Sequence, residues 1–262
     1  MKIVVKVGTS TLAHPTGRLN IRHVETLVKV LSDLKNAGHQ LILVSSGAIG
    51  MGVGKLNLPG RPADMPTKQA AAAVGQCELM YTYDKLFAQY SHTVAQLLLT
   101  AEDVDHPGRR HNFENAMGRL LELNALPIIN ENDAVATDEV GVATTIGEND
   151  TLSAIVACCV DADLLVLLSD IDGLYTADPR HDPDAALIPE VQAITPELEA
   201  LAGAPGSALG SGGMATKLKA AKMAMDHGCD MVIANGQNPE LLYDIVAGGS
   251  IGTRFIGRRG GK

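Results

Sequence analysis

Residues 21–45, IRHVETLVKVLSDLKNAGHQLILVS, contain the two hydrophobic patterns that decide the fold class. In residues 21–37 the Val and Leu side chains recur at the spacing of an amphipathic helix, and Gly38 is typical of a helix end. Residues 40–44 are almost all aliphatic, which is typical of a strand that is buried on both faces. A helix followed by such a strand predicts one unit of a parallel α/β sheet.

The same alternation of strands and helices extends along the whole chain. Further buried strands are predicted at residues 2–7, 126–129, 164–168 and 231–234. Further helices are predicted at residues 67–90, 109–124, 149–160, 196–202, 214–227 and 239–246. No internal repeat or low-complexity linker interrupts this order, so we expect one compact domain over residues 1–262, built around a mainly parallel sheet.

The composition of the chain argues against several classes of function. A formal net charge of -9 disfavours nucleic-acid binding, and the basic residues from Arg254 to Lys262 fit a solvated terminus or the stub of a linker. No stretch has the ~18 apolar residues of a membrane span, and the opening MKIVVKVG is too short for a signal peptide. The cysteines lack a zinc-binding spacing, so we expect buried thiols in a cytoplasmic protein.

Two glycine-containing segments follow the first two predicted strands, at the edge of a parallel sheet where ligands bind. Lys6 leads into Gly8 and the next two hydroxyl residues, which suits a phosphate, although an ordinary turn with a surface lysine explains this segment equally well. The segment SSGAIGMGVG (45–54) favours close approach of the backbone to a ligand. Its serines are candidates for binding a substrate or for capping a helix.

Two loops rich in Asn and Asp, INENDAVAT (129–137) and TTIGENDTLSA (144–154), offer the donors and acceptors that a zwitterionic amino acid requires. A carboxylate in these loops can hold an α-ammonium group, and amides can bind the remaining polar atoms. Asn and Asp are also common in turns and at helix N-termini, so a purely structural role stays open. The candidate residues are Asn130, Asn132, Asp133, Asn149 and Asp150.

Two segments in the second half of the chain suit a nucleotide. LLVLLSDIDGLYTADPR (164–180) runs from an apolar strand into Ser169 and Asp170, which can meet a base or ribose; a metal site at Asp170 and Asp172 is less favoured, because Mg²⁺ is often held by phosphates and water. GSGGMATKLKAA (210–221) places glycines at a predicted helix start and Lys217 one turn later, within reach of a γ-phosphoryl group. A surface loop with a solvated lysine is the alternative.

These segments resemble the amino acid kinase superfamily and, within it, the glutamate 5-kinase family. The resemblance rests on KVGTSTL, SSGAIGMG, NENDAVAT, GENDTLSA, SDIDGLYTADPR and GSGGMATK, which occur in the family's order along essentially the whole chain. It implies a three-layer αβα sandwich whose N-terminal half binds glutamate and whose C-terminal half binds ATP. The implied reaction is the Mg²⁺- and ATP-dependent phosphorylation of the γ-carboxylate of L-glutamate, the first step of proline biosynthesis.

The resemblance also implies roles for individual residues. Lys6 and Lys217 would stabilise the phosphoryl group during transfer, and Asp150 would orient both lysines. The residues implied to contact glutamate are Ser46, Asp133 and Asn149. Asn130 and Asn132 are implied to shape the loop around it. The residues implied to hold ATP are Lys6, Ser169, Asp170, Ser211, Gly212, Gly213, Met214, Ala215, Thr216 and Lys217. No residue is assigned as a metal ligand.

Several further expectations follow from the resemblance. Many family members carry a PUA domain after the kinase domain, and we expect none here because the sequence ends at Lys262. A homo-oligomer and feedback inhibition by proline are implied, although residues 138–145 make the connection between the two Asn-Asp loops longer than usual. The alternatives are another member of the superfamily or a non-catalytic amino acid sensor on the same fold. A dinucleotide oxidoreductase is disfavoured, because the sequence lacks the GxGxxG fingerprint.

Overall fold

The computed structural model describes residues 1–14, 16, 18–135, 149–177, 179, 181–203 and 213–258. In this part of the chain the strands are β1 (Lys2–Val7), β2 (Gln40–Ser45), β3 (Val94–Leu99), β4 (Leu126–Glu131), β5 (Leu164–Ser169), β6 (Glu190–Val191), β7 (Asp230–Asn235) and β8 (Thr253–Phe255). The helices are α1 (Thr9–Leu12), α2 (Ile21–Asn36), α3 (Ala48–Lys55), α4 (Met65–Ala88), α5 (Ala101–Asp105), α6 (Pro107–Glu122), α7 (Asn149–Cys159), α8 (Pro196–Gly203), α9 (Gly213–Asp226) and α10 (Leu241–Val246).

The strands form one sheet in the order β3-β4-β2-β1-β5-β7-β8-β6. Neighbouring strands run parallel except at the β7–β8 pair, which is antiparallel. β1 lies between β2 and β5, and its Lys6 stands opposite Val44 on one side and Leu167 on the other. The chain therefore winds outward in both directions from β1, and ligands of open parallel sheets bind beyond such a reversal of strand order.

Helices cover both faces of the sheet and enclose two hydrophobic cores. One core packs α2, α4 and α10 against the sheet, and the other packs α6, α7 and α9. β1 contributes to both cores, with Ile3 and Val5 in one and Val4 in the other, because successive side chains of a strand point to opposite faces. This arrangement confirms the predicted three-layer αβα sandwich around a mainly parallel sheet.

The structure confirms the five predicted strands and all seven predicted helices to within about two residues. For example, α10 begins two residues later than predicted, and α2 ends at Asn36. Sequence reasoning missed β3, β6 and β8, and the helices α1, α3 and α5. β6 and β8 are too short to show a repeating pattern, and β3 lies at the edge of the sheet, where most of its side chains are only half-buried.

Gly52 in residues 45–54 has a different role from the one expected, whereas Gly47 and Gly50 line the ligand cavity described below. Most of this segment is helix α3, whose backbone packs closely against α4. A Cβ atom added to Gly52 would lie 1.8 Å from the carbonyl oxygen of Ala71, and one added to Gly75 would lie 1.8 Å from that of Ala48. Gly52 and Gly75 therefore allow two helices to approach each other, and the prediction that these glycines serve approach to a ligand is wrong at Gly52.

We expect Gly52→Ala to lower the free energy of unfolding by about 3 kcal/mol or more, because the added methyl group meets the backbone of α4 and one helix must move. Gly118→Ala in α6 is the matched control, since a Cβ atom there meets nothing within 4 Å. We expect the control to stabilise the protein by about 0.5 to 1 kcal/mol. Urea denaturation measures both changes, and equal values for the two variants would contradict this account.

The four cysteines differ in exposure, contrary to the sequence-based expectation. The cysteines were predicted to be buried, but only Cys229 is; Cys77 is exposed on α4, and Cys158 and Cys159 are half-buried. Apolar residues near Cys77 in the sequence face the core, but Cys77 itself lies on the exposed side of α4. Among the helices of the described residues, none has the length and apolar character to cross a membrane.

Candidate active site

A cavity of about 1020 Å³ opens at the carboxyl ends of β1, β2, β4 and β5, where the strand order reverses. Its walls bring together side chains from distant parts of the sequence. The predicted site residues that line it are Lys6, Ser46, Asp133, Asn149, Asp150, Ser169, Asp170 and Lys217. Segments that sequence analysis considered separately thus meet at one site.

One carboxylate holds two lysines at the centre of this cavity. β1 presents Lys6 near its end, Asp150 lies in the first turn of α7, and Lys217 lies one turn into α9. The Lys6 ammonium is 2.6 Å from one carboxylate oxygen of Asp150, and the Lys217 ammonium is 3.0 Å from the other. All three side chains are at least 89% buried, so their geometry is fixed by the surrounding protein.

The charges of this group suit an anionic ligand. Burial would raise the pKa of Asp150, but the ammonium groups of Lys6 and Lys217 outweigh that effect and hold the pKa below its usual range. Asp150 is therefore ionised at neutral pH, and a single negative charge lies between two positive ones. The net positive charge faces a partly buried cavity, where it can stabilise a phosphoryl group more effectively than in water.

The backbone beside each lysine leaves room for such a ligand. A Cβ atom added to Gly8 would lie 3.7 Å from the Lys6 nitrogen, and one added to Gly213 would lie 3.8 Å from the Lys217 nitrogen. Because both positions are glycine, no side chain of Gly8 or Gly213 occupies the space beside the ammonium groups. Gly213 also begins α9, whose first N–H groups carry the positive end of the helix dipole. The residues present fit the phosphates of a nucleotide.

A hydrogen-bonded network of polar side chains lies next to the lysines. The Asn149 side-chain amide donates to the Ser46 hydroxyl at 2.7 Å and to the side-chain oxygen of Asn130 at 3.3 Å. Asn130 is buried and donates in turn to Gln76 of α4 at 2.9 Å. The Asn149 side-chain oxygen is buried without a hydrogen-bond partner in the described part of the chain. It can therefore accept a hydrogen bond from a ligand.

Two carboxylates line the cavity wall at the end of β4. Burial raises the pKa of Glu131, as does the neighbouring charge of Asp133, to about 7. Burial also raises the pKa of Asp133, although the Arg61 guanidinium acts against it. Sequence reasoning missed Glu131 and Arg61 as site residues. Glu131 lies inside the quoted NENDAVAT segment, whereas Arg61 lies outside every segment that was considered.

Comparison with known proteins identifies the family. Residues 1–235 match the model of the amino acid kinase family. The chain belongs to the amino acid kinase family. It is 52% identical over 259 residues to the glutamate 5-kinase of Clostridium perfringens, covering 99% of this chain and 96% of that protein. It is 54% identical over 253 residues to the glutamate 5-kinase of Clostridium tetani, covering 97% of this chain and 93% of that one. Both the superfamily and the glutamate 5-kinase resemblance are confirmed.

Solved structures of the amino acid kinase fold match nearly the whole chain. A carbamate kinase from Giardia lamblia bound to AMP-PNP has a TM-score of 0.69 at 17% identity and covers 98% of both chains. The isopentenyl phosphate kinase of T. acidophilum, in a product complex, has a TM-score of 0.64 at 19% identity and covers 97% of this chain and 100% of its own. At these identities the likeness shows the fold alone.

Some residues implied by the glutamate 5-kinase resemblance do not reach the cavity wall. Asn130 lies behind Asn149, and the Asn132 backbone N–H donates to the carbonyl oxygen of Leu99 at 2.8 Å, which ties the loop to β3. Ser211 and Gly212 lie outside the described residues. Of the described residues in the same segment, Lys217 lines the cavity. The four residues before it do not: Gly213, Met214, Ala215 and Thr216.

The aspartate and tyrosine that follow β5 also have structural partners. The Asp172 carboxylate accepts a hydrogen bond from the Asn235 amide at 2.7 Å and another from the Tyr175 hydroxyl at 3.1 Å. The first bond ties the ends of β5 and β7 together, and the second is local to the segment after β5. Asp172 and Tyr175 do not line the cavity, which leaves Ser169 and Asp170 as the contribution of this segment to the site.

Proposed function

We propose that this chain transfers the γ-phosphoryl group of ATP to the γ-carboxylate of L-glutamate, the first step of proline biosynthesis. The observation that carries the proposal is the buried Lys6–Asp150–Lys217 group, which lies in one cavity with the Ser46–Asn149 network. The identity of more than half of the aligned residues to glutamate 5-kinases supports glutamate as the acceptor.

The chemistry of the reaction matches the groups in the cavity. The γ-carboxylate is already ionised at neutral pH, so it needs no general base. Its oxygen attacks the γ-phosphorus, the bond to the bridging oxygen breaks, and ADP leaves with the electron pair. The catalyst must neutralise charge and hold the two substrates in line. Lys6 and Lys217 supply the positive charge, and Asp150 positions both ammonium groups.

The C-terminal half of the chain provides the ATP side of the site. Lys6 and Lys217 bind the phosphates together with the N-terminus of α9, and Ser169 and Asp170 contact the rest of the nucleotide. In the residues that the structure describes, no cluster of His, Cys, Asp and Glu is arranged to hold a metal ion. Mg²⁺ would be held mainly by the ATP phosphates and water, and it would add to the neutralisation of their charge.

The N-terminal half provides the glutamate side within the same domain. Ser46, Asn149 and Asp133 contact the amino acid. Asn130 acts indirectly, because it accepts a hydrogen bond from Asn149, and Asn132 shapes the loop through its backbone. This division of a single domain over residues 1–262 keeps the acceptor carboxylate and the phosphoryl donor on opposite sides of the lysines.

The proposed function includes feedback inhibition by proline, assembly into a homo-oligomer and a place in the cytoplasm. Proline shares its α-ammonium and α-carboxylate groups with glutamate, so it can compete for Ser46, Asp133 and Asn149 as a feedback inhibitor. The resemblance to the glutamate 5-kinases suggests that the chain forms a homo-oligomer. It also suggests that the protein works in the cytoplasm, where both glutamate and ATP are present. The acidic chain, with its net charge of -9, gives no reason to expect nucleic acid as a partner.

Hydroxylamine trapping tests the proposed reaction. With ATP, Mg²⁺ and L-glutamate we expect γ-glutamyl hydroxamate to accumulate in step with ADP, because hydroxylamine captures the acyl phosphate. Omitting either substrate should abolish the product. Product formed only with aspartate, carbamate or UMP would assign the chain to another reaction of the superfamily. Calorimetric binding of glutamate without any consumption of ATP would instead indicate a sensor.

A further inference from the structure

We propose that Glu131 is a further substrate-binding residue, which receives the α-ammonium group of glutamate together with Asp133. This inference rests on the proposed function, because it names what the same cavity recognises. Glu131 and Asp133 both line the cavity in which Lys6 and Lys217 are held by Asp150. The cavity thus has a positive group at one place in its wall and two carboxylates at another.

The backbone fixes Glu131 at the cavity wall. It is the last residue of β4, where it pairs in register with Leu99 of β3. Its N–H group donates to the side-chain oxygen of Asn130 at 2.9 Å, and Asn130 is held by Gln76 on the buried side. Because successive side chains of a strand point to opposite faces, the burial of Asn130 directs Glu131 the other way. Its carboxylate is positioned by a rigid strand rather than by a loop.

No salt bridge to a described residue neutralises Glu131 or Asp133, although the Arg61 guanidinium is near enough to act on the pKa of Asp133. Within the described residues neither forms an ion pair, and Lys6 and Lys217 are both engaged by Asp150. Two half-buried carboxylates next to each other favour proton uptake unless a cation joins them. A ligand ammonium group is such a cation, and it would make charge-assisted hydrogen bonds to both.

The glutamate zwitterion matches this distribution of charge. Its γ-carboxylate carries the negative charge that the lysines attract during transfer, and its ammonium group lies at the opposite end of the molecule. A ligand without an ammonium group, such as 2-hydroxyglutarate, leaves the carboxylates of Glu131 and Asp133 without a counter-charge. We therefore expect these two residues to select α-amino acids over the corresponding hydroxy acids.

The binding of glutamate should depend on pH near neutrality. Burial and the charge of Asp133 raise the pKa of Glu131 to about 7 in the free protein, so a falling pH neutralises Glu131 and weakens the binding of the ammonium group. KM for glutamate should fall as pH rises through about 7 and then level off. The other charged or titratable side chains that line the cavity are Lys6, His14, Arg61, Asp133, Asp150, Asp170 and Lys217.

Steady-state kinetics of Glu131→Gln against the wild type test this role. We expect KM for L-glutamate to rise roughly 10- to 100-fold, because a hydrogen bond to a charged group is lost. KM for ATP should change by less than about twofold, and the dependence of the glutamate KM on pH should flatten. The preference for L-glutamate over 2-hydroxyglutarate should shrink as well. Glu131→Asp, which keeps the charge, should recover part of the loss.

Glu122→Gln is the matched control, since Glu122 is an exposed residue at the end of α6 that does not line the cavity, and it should behave as the wild type. An unchanged glutamate KM in Glu131→Gln, or an equal rise for ATP, would overturn the inference. A flat pH profile of the wild type between about pH 6 and about pH 8 would also overturn it, even if Glu131→Gln fails to fold. If the wild type forms no hydroxamate from L-glutamate, the proposed function itself falls, and this inference falls with it.

Discussion

Changing Lys217 to alanine is expected to lower kcat by roughly 10³-fold or more, because the variant loses a buried positive charge that acts on the phosphoryl group in transfer. The ammonium group lies 3.0 Å from Asp150 and beside the unobstructed backbone of Gly213. It interacts most strongly with the charge that develops in the transition state, so KM for glutamate should change much less than kcat. The measurement is steady-state kinetics of hydroxamate formation.

Lys219→Ala is the matched control for this prediction. Lys219 lies two residues further along α9 and is exposed, so its removal should leave kcat unchanged. Circular dichroism and thermal unfolding should show that Lys217→Ala keeps the fold. A wild-type kcat in a folded Lys217→Ala variant would remove this residue from the catalytic centre.

Changing Asp150 to asparagine should affect both activity and stability. The substitution leaves the buried ammonium groups of Lys6 and Lys217 close together without their shared counter-charge. We expect the free energy of unfolding to fall by roughly 3 kcal/mol or more, the scale for breaking a buried ion pair. We also expect kcat to fall by roughly 10²-fold or more, because the ammonium groups lose their alignment. Urea denaturation and steady-state kinetics measure the two effects.

The stability effect has a predictable dependence on pH. The pKa of Asp150 is lowered in the folded protein, so its contribution is present above the pKa of the unfolded chain, near ~4, and is lost as pH falls through the lower folded value. The difference between the wild type and Asp150→Asn should therefore stay constant around neutral pH and shrink only in acid. Asp161→Asn, at an exposed residue, should change neither property. Equal stability of the wild type and Asp150→Asn at neutral pH would contradict the ion-pair account.

The parts of the fold that could be predicted from sequence are those whose environment is uniform. β2 and β5 are buried on both faces, so their residues form continuous aliphatic runs. β3 lies at the sheet edge and α3 is rich in glycine, so neither has a pattern that identifies it. The contact between Gly52 and Ala71 depends on how α3 and α4 pack, and that packing is a property of the folded chain.

Some residues of the candidate site could be predicted from the sequence, and others could not. The resemblance pointed to Lys6, Asp150 and Lys217, and the structure brings these three together, while their roles in the transfer stay predictions. Glu131 and Arg61 escaped notice because their significance lies in burial and in neighbouring charges. Those properties arise only when β4 and the connection between α3 and α4 meet at one cavity.

Labelling the γ-carboxylate of L-glutamate with oxygen-18 tests the central claim most directly. If this carboxylate attacks the γ-phosphorus of ATP, the bridging oxygen of the acyl phosphate carries the label. Hydroxylamine then attacks the acyl carbon, the carbon–oxygen bond breaks, and the label leaves with the phosphate. We predict that mass spectrometry will find a single labelled oxygen in each phosphate released together with hydroxamate. Hydroxamate accompanied by wholly unlabelled phosphate would contradict direct transfer to the glutamate carboxylate.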